Sequence, residues 1–457
     1  MKAKIVPNRL QETIDFALMN GLIKFNTSFQ LVHAPFVLAP YSLSKDVLEK
    51  MVSLTPSFND LMLRVASNQD FLTNYLEQAS LTDSFIKGLM SIYLEKKSTQ
   101  PYQFLLGRND FMMVEDANYP KKLQPKQVEF NTISVSFPYL STQLNHLHQF
   151  MYEEQPLGKK LVLNDPLTGI VDAIALAVQQ YGHSDSCVLQ IVQPREQNIF
   201  DQRGGEYKLW QKHRIPTIRM TLEEVAKEGA CQEGHLMIQG KVAAVTYLRA
   251  GYSPGDYQTP DAWKGRRLIE SSSSISAPSV AMQLAGMKKI QQVLTDPKIL
   301  KNFVEQKKIQ EISDTFVGMH LLDEMLHRNG QSDLAQKIAC DFPDKYVLKP
   351  QREGGGNNFF DQEMVKLLHS LTKEEYPAYI LMERIDAKEH QAVLVVEGKI
   401  QETSCISEIG CYGVCLAKEK DILLNQDVGY LVRTKAADQN EGGVCAGYAC
   451  LNSLCIR

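Results

Sequence analysis

Lys349-Pro350-Gln351-Arg352-Glu353-Gly354-Gly355-Gly356-Asn357-Asn358, preceded by the apolar run Tyr346-Val347-Leu348, decides how this chain is read. A β-like segment delivers a lysine, and a carboxylate and three glycines follow at once. Glycine lacks a Cβ, so its backbone N–H groups can close in on an anion, while lysine supplies a point charge for phosphate. Glu353, inside the same loop, suits a magnesium ion bridging such phosphates. Neither a Walker A loop nor a dinucleotide fingerprint fits, because both open a helix directly after spaced glycines. A bare glycine run is usually a surface turn. The lysine, arginine, glutamate and paired asparagines around this one argue for a phosphate site instead.

Downstream, Tyr379-Ile380-Leu381-Met382-Glu383-Arg384-Ile385 reads as a buried strand ending in charge. Between the two blocks, Met364, Val365, Leu367, Leu368 and Leu371 recur at helical spacing. Lysine strand, glycine loop, helix and apolar strand, in that order, resemble the nucleotide half of the ATP-grasp ligases. That resemblance implies adenine held between two sheets, with backbone hydrogen bonds from the end of the 379–385 strand.

The remaining chain sets bounds. A length of 457 residues predicts two or three domains. A net charge of −4 argues against nucleic acid or an anionic membrane as the main partner. Nine cysteines, odd in number and without a Cys-x-x-Cys pair, indicate neither a disulfide framework nor a zinc site. The densest group (Cys405, Cys411, Cys415, Cys445, Cys450, Cys455) lacks neighbouring histidines and reads as small buried hydrophobes. No apolar run approaches the ~20 residues that span a bilayer, and no apolar segment follows the first lysines to suggest a signal peptide. A soluble cytoplasmic protein is expected.

Periodicity predicts helices over 10–22, 46–52 and 58–94, with turns at 39–42 and 55–57. Short β-rich runs follow from 102, including 127–131 and 134–137, and then a helix over 139–152. Strands at 187–192, 216–220 and 242–248, with a helix at 203–212, suggest a doubly wound parallel sheet in a separate unit. Ser271-Ser272-Ser273-Ser274 is a candidate linker at its far edge, and helices are expected from 280 to 336. The expected division is 1–184, 185–287 and 288–457, which the resemblance to ATP-grasp ligases makes an ATP-grasp part, N-terminally helical and with the metal ligands, a substrate-binding α/β unit, and an ATP-grasp part with the lid and glycine-rich loop.

In Gln127-Val128-Glu129-Phe130-Asn131, the i, i+2 spacing puts Glu129 and Asn131 on one strand face, aiming two oxygen ligands into one space, as magnesium requires. Alone this is weak, since two such residues usually mark the solvent side. The blocks LGRNDFM (106–112), QVEFNTISVSF (127–137), REQNIFDQR (195–203), YLRAGY (247–252), QLAGMKK (283–289), VLKPQREGGGNN (347–358), ILMERI (380–385), CISEIGCYGV (405–414) and LVRTKAADQNEGGVCAG (431–447) together resemble eukaryotic-type glutathione synthetase. They stand in that family's order over nearly the whole chain.

The resemblance implies an ATP-grasp fold with an inserted doubly wound α/β substrate domain and a glycine-rich lid. It implies ligation of γ-glutamylcysteine to glycine with ATP as co-substrate and Mg2+ as cofactor, through an acyl phosphate, in a homodimer. Matched to this sequence, the metal ligands are Glu129, Asn131 and Glu353. The ATP contacts are Glu129, Lys288, Lys349, Pro350, Gln351, Arg352, Glu353, Gly354, Gly355, Gly356, Asn357, Asn358, Phe360, Met382, Glu383, Arg384, Ile385, Glu408, Lys435 and Glu441. Arg108, Ser136, Gly354 and Gly355 surround the transferring phosphoryl group. Substrate contacts are Arg108, Ser134, Val135, Ser136, Glu196, Gln197, Asn198, Gln202, Arg249, Tyr252, Arg433, Val444 and Cys445. Phe360 stands where the family commonly has tyrosine, Glu441 replaces an aspartate, and Cys445 replaces an alanine beside the glycine site. Two alternatives stay open: the same donor joined to β-alanine or serine, and a nucleotide-binding regulator without catalysis.

Overall fold

The computed structural model describes residues 7–95, 100–116, 122–153, 160–352, 356–440, 442–444, 447 and 449–456. Glu353, Gly354, Gly355, Glu441 and Cys445, to which roles are assigned above, lie outside the described residues. The largest sheet has seven strands, in the order His390–Val396, Phe36–Val37, Cys450–Asn452, Asp421–Ala436, Lys399–Lys418, Tyr102–Glu115 and Leu123–Asn131. From residue 102 the chain makes one strand of 14 residues rather than short runs. Residues 104–111 of that strand are all buried, because helices cover both sheet faces. Lys45–Ala66 lies on one face and Pro166–Tyr181 on the other. Arg108, Asn109 and Asp110 therefore sit in the middle of a buried strand.

Pro56 does not break the Lys45–Ala66 helix, contrary to the turn expected at 55–57. Met51, Leu54, Phe58, Leu61, Met62 and Val65 keep one buried stripe across the proline, and that packing outweighs the lost backbone hydrogen bond. The helical stretch beyond it breaks instead at Asn68 and Asp83, whose side chains accept from Phe71 N and from Phe85 N and Ile86 N. Residues 134–137 are not a strand. They form a loop with Ser134 at φ 53° and Phe137 at φ 77°, ahead of the Pro138–Glu153 helix.

A second sheet runs Ala230–Gln232, His235–Ile238, Lys241–Leu248, Ser186–Ile191, Thr217–Met220, with Ile275–Ala277 also along Lys241–Leu248. The last four of these strands pair in parallel, as the doubly wound reading expects, and an antiparallel hairpin extends them. Pro166–Tyr181, which precedes residue 185, also packs against this sheet. The serine run is no exposed linker: Ser272 and Ser274 are buried, and the Ser274 and Thr246 hydroxyls meet at 2.8 Å.

The third sheet is antiparallel: Met319–His320, Tyr379–Glu383, Tyr346–Pro350, Phe359–Phe360. The segment expected to be helical to 336 is so only to Ser313, and then includes the hairpin Met325–Arg328/Gln331–Leu334. Its turn, Asn329-Gly330, has φ values of 50° and 81°, the hairpin signature that periodicity overlooked.

Between the Lys45–Ala66 helix and the long hairpin Lys399–Lys418/Asp421–Ala436 lies a polar seam. Thr55 Oγ1 donates to Asp427 Oδ2 at 2.9 Å, and Asn59 Nδ2 donates to Asn425 Oδ1 at 2.9 Å. Burial pushes the Asp427 carboxyl up to about 6, against the opposing bonds from Thr55 and Gly429. A carboxyl raised above its unfolded value of 3.8 contributes stability below that value and loses it as pH rises through about 6. Asp427→Asn should therefore match the wild type near pH 4 and gain relative to it, by on the order of 2 kcal/mol, toward pH 7. Melting temperatures of both proteins across this range are the measurement; a constant difference refutes the assignment.

Candidate active site

The three sheets converge on a cavity of about 510 Å³. Its floor is the end of the Leu123–Asn131 strand and its neighbours, where register sets Arg108 opposite Asn131 and Asp110 opposite Glu129. On the other side of Tyr102–Glu115, the long hairpin brings Glu408 and Arg433 opposite each other. Asp110 is wholly buried and gathers these groups. Its Oδ1 accepts from Arg108 Nε at 2.6 Å. Its Oδ2 accepts from Arg108 Nη2 at 2.8 Å, Asn131 Nδ2 at 3.0 Å and Arg433 Nη2 at 3.1 Å. Arg433 also pairs with Glu408.

Glu129 projects into the cavity 3.4 Å from Lys288 Nζ. Burial opposes its ionisation, but Lys288, Lys349, Arg433 and Arg108 prevail and hold its carboxyl down to about 2. Glu408 goes the other way: burial pushes its carboxyl up, Arg433 opposes, and Asp110 and Glu129 add to the rise. The site thus keeps one solidly ionised carboxylate facing a ring of cations. Lys349 Nζ donates to Val128 O at 3.0 Å, and Lys288 Nζ to Arg352 O at 2.7 Å, so both lysines are aimed from separate elements toward Glu129.

The stem of the glycine loop is anchored. Gln351 Oε1 accepts from Lys289 N at 3.0 Å, and Arg352 pairs with Asp83, the cap of the Ser84–Glu95 helix. Pro350, Gln351, Gly356 and Asn357 do not line the cavity, whereas Arg352 and Asn358 do. Beside the stem, Val347, Phe360, Met382, Ile385, Ile406 and Met112 make an apolar slot between the first and third sheets. Glu383, Arg384 and Lys435 rim it. Arg384 lies 5.6 Å over the Phe360 ring and pairs with Asp361 at 2.9 Å.

The opposite end is polar. Arg249 threads the 134–137 loop: Ser134 Oγ donates to Arg249 O at 2.9 Å, Arg249 Nη2 donates to Ser136 Oγ at 2.9 Å, and Nη1 donates to Val135 O. Asp201 accepts from the backbone N–H of Phe137, Tyr139 and Leu140, which pins left-handed Phe137 and the start of the helix after it. Burial raises the Asp201 carboxyl, against Arg249 and these backbone donors. Arg249 is 3% exposed, and its Nε is buried without a hydrogen-bond partner. Glu196, Gln197, Asn198 and Tyr252 line this end, and Gly442, Gly443 and Val444 close it. Gln202 does not reach the cavity. It braces Glu196 instead, donating to Oε2 at 2.6 Å while accepting from Arg219 at 2.8 Å.

Of the expected residues that are described, all but Pro350, Gln351, Gly356, Asn357 and Gln202 line this one cavity. Asp110, Asp201, Met112, Ile406, Gln193 and Asn440 were not singled out from sequence. For Asp110 a signal existed: it lies two residues from Arg108 on the same strand face. Among the described residues no His, Cys, Asp and Glu cluster has metal-binding geometry, and Cys405, Cys411, Cys415, Cys450 and Cys455 are buried thiols.

Known proteins share this organisation. Residues 5–456 match the family model described as eukaryotic glutathione synthase, ATP binding domain. The chain is 38% identical to the chloroplastic glutathione synthetase of Solanum lycopersicum over 437 residues, covering 93% of this chain and 78% of that one. Against the glutathione synthetase of Homo sapiens it is 36% identical, covering 97% and 95%. Against that of Dictyostelium discoideum it is 34% identical, covering 97% of each. A solved structure of a glutathione synthetase-like effector from Globodera pallida superposes with a TM-score of 0.80 at 18% identity, over 100% of this chain and 98% of that one, which shows a shared fold. The anion-ready cavity and these full-length matches lead to one assignment: the chain belongs to the eukaryotic glutathione synthase family.

Proposed function

We propose that this cavity joins γ-glutamylcysteine to glycine with ATP, releasing glutathione, ADP and phosphate. The observation that carries the reading is the position of ionised Glu129, ringed by Lys288, Lys349, Arg108 and Arg433, between an apolar slot and a polar pocket. A carboxylate is a poor acyl donor. In the first step an oxygen of the cysteinyl carboxylate attacks the γ-phosphorus, the bond to the β,γ-bridging oxygen breaks, and ADP departs with that electron pair. In the second, the glycine nitrogen attacks the acyl carbon, the acyl C–O bond breaks, and phosphate leaves. The nitrogen's surplus proton goes to solvent or phosphate. Phosphoryl transfer asks chiefly for in-line placement and cancelled charge, so cations dominate the site.

In this reading the apolar slot takes adenine against Met382 and Ile385, with Arg384, Glu383 and Lys435 at its rim. Lys288 and Lys349 hold the phosphates. Arg108 and Ser136 sit where the acyl phosphate forms, and preorganised donors there stabilise the developing oxyanion. The Arg249 guanidinium, which lines this end, suits a carboxylate of the dipeptide, and Glu196 suits its ammonium group. Arg433 and the 442–444 segment face the incoming glycine. The donor set also fits Mg2+: Glu129 is ionised, and the Asn131 carboxamide lines the same space. When bound there, the cation would offset phosphate charge. Glu353, Gly354 and Gly355 complete the inferred lid, and Glu441 and Cys445 the inferred edges of the ATP and glycine subsites. We also infer a homodimer and a cytoplasmic setting, from the family pattern. No helix among the described residues is long and apolar enough to cross a membrane.

Two measurements test this reading. ADP release should require γ-glutamylcysteine and glycine together. Catalytic efficiency with β-alanine or serine should fall about 10- to 200-fold, the usual penalty for a misfit of one small group. Equal rates with β-alanine or serine would replace glycine as the acceptor, and no ADP release with any amine would favour the regulator. Arg249→Ala should raise the KM for the dipeptide by about 10- to 100-fold, as for loss of a charged hydrogen bond, with a smaller change for ATP. Because Arg249 also pins the 134–137 loop, kcat should fall as well. A rise confined to the KM for ATP would move Arg249 to the nucleotide side.

A further inference from the structure

Asp110 has no surface on the cavity, yet three residues that do line it converge on its carboxylate. The contact with Asn131 has a directional consequence. Asn131 Nδ2 donates to Asp110 Oδ2 at 3.0 Å and to Arg108 O at 3.5 Å, so both amide protons face inward. Turned over, the carboxamide would set its oxygen against a carboxylate and a carbonyl, acceptors only. The oxygen therefore has to face the cavity. Room for this is kept on the neighbouring strand by Gly410, paired with Asp110, where a Cβ would collide with Asp110 Oδ1 and the Arg108 side chain.

We propose that Asp110 is a positioning residue: by taking the Asn131 amide protons while holding Arg108 and Arg433, it presents the Asn131 carboxamide oxygen to the cavity as a cation ligand. This rests on the reading of Asn131 as such a ligand. An asparagine is a hard-cation ligand only through its oxygen. A free carboxamide would spend half its time offering two N–H groups instead. The two arginines tie the same carboxylate to the phosphoryl and acceptor ends of the site, so one buried anion sets the cation ligand and both guanidinium groups together.

The test is calorimetric titration of ADP, with and without Mg2+, into the intact wild-type protein and into Asp110→Asn. In the wild type, Mg2+ should tighten ADP binding. In Asp110→Asn, which leaves one acceptor oxygen for the four N–H groups that two oxygens now share, that tightening should shrink by roughly 10- to 100-fold, as when an outer partner of a metal ligand is removed. ADP binding without Mg2+ should change little, which separates positioning from general damage. If Asp110→Asn melts too low to titrate, Asp110→Glu keeps the charge the arginines need but displaces the oxygen from Asn131, and the same loss is expected. Full Mg2+ tightening in either variant would overturn the role of Asp110 alone. No tightening in the wild type would remove the cation reading, and the role of Asp110 with it.

Discussion

The buried carboxylate of Asp110 and its two arginines are the constraint around which the site is built. Burying charge is costly, and an ion pair repays it only when geometry and further hydrogen bonds satisfy every partner. Here Arg108 binds both oxygens of Asp110, Arg433 bridges Asp110 and Glu408, and Asn131 takes a further position. Losing one partner from such a group costs roughly 3–5 kcal/mol, because the remainder stays charged and dry. The network exists because adjacent strands put these residues opposite one another. It fixes the direction of each cation before any anion arrives, which is what charge stabilisation in a transition state requires.

A second constraint is the 134–137 loop. Ser134 and Phe137 adopt backbone angles that non-glycine residues avoid. Asp201 holds the end of the loop through Phe137 N and the first turn of the helix after it through Tyr139 N and Leu140 N, Arg249 threads it from the second sheet, and the Tyr412 hydroxyl donates to Ser136 O at 2.6 Å. The strain makes sense where Ser134 and Ser136 must face a ligand from a short connection between strand and helix. It also couples the first two sheets, since Arg249 follows a strand of one and Tyr412 lies on a strand of the other.

Much of this was legible in sequence because its signals are local. The apolar run before Lys349, the strand at 379–383 and the strands around 187 and 242 carry their own periodicity. The errors fell where tertiary contacts override local preference. Pro56 stays helical because the stripe from Met51 to Val65 packs on a sheet that no local window reveals. Residues 134–137 alternate like a strand but are bent by Asp201, 64 residues from Phe137 in sequence. Asp110 was passed over because its importance comes largely from partners on two other strands, Asn131 and Arg433. Gln202 was read as a ligand contact, but the chain spends its amide on Glu196 and Arg219, visible only once the helix carrying Gln202 is docked.

The phenylalanine at 360 shows how a departure from the family pattern is absorbed. The ring is a wall of the apolar slot, and Arg384 lies 5.6 Å over it. Arg384 is in turn held by Asp361 at 2.9 Å and by Asn440 at 3.1 Å, and Asn440 donates to Asp361 at 3.3 Å. This clasp ties the helix after Phe360, which follows a strand of the third sheet, to the segment after Ala436, which leads toward the 442–444 end of the cavity. The guanidinium lies over the ring's face, a placement favoured by the ring's negative surface, and its other contacts hold the two segments in register.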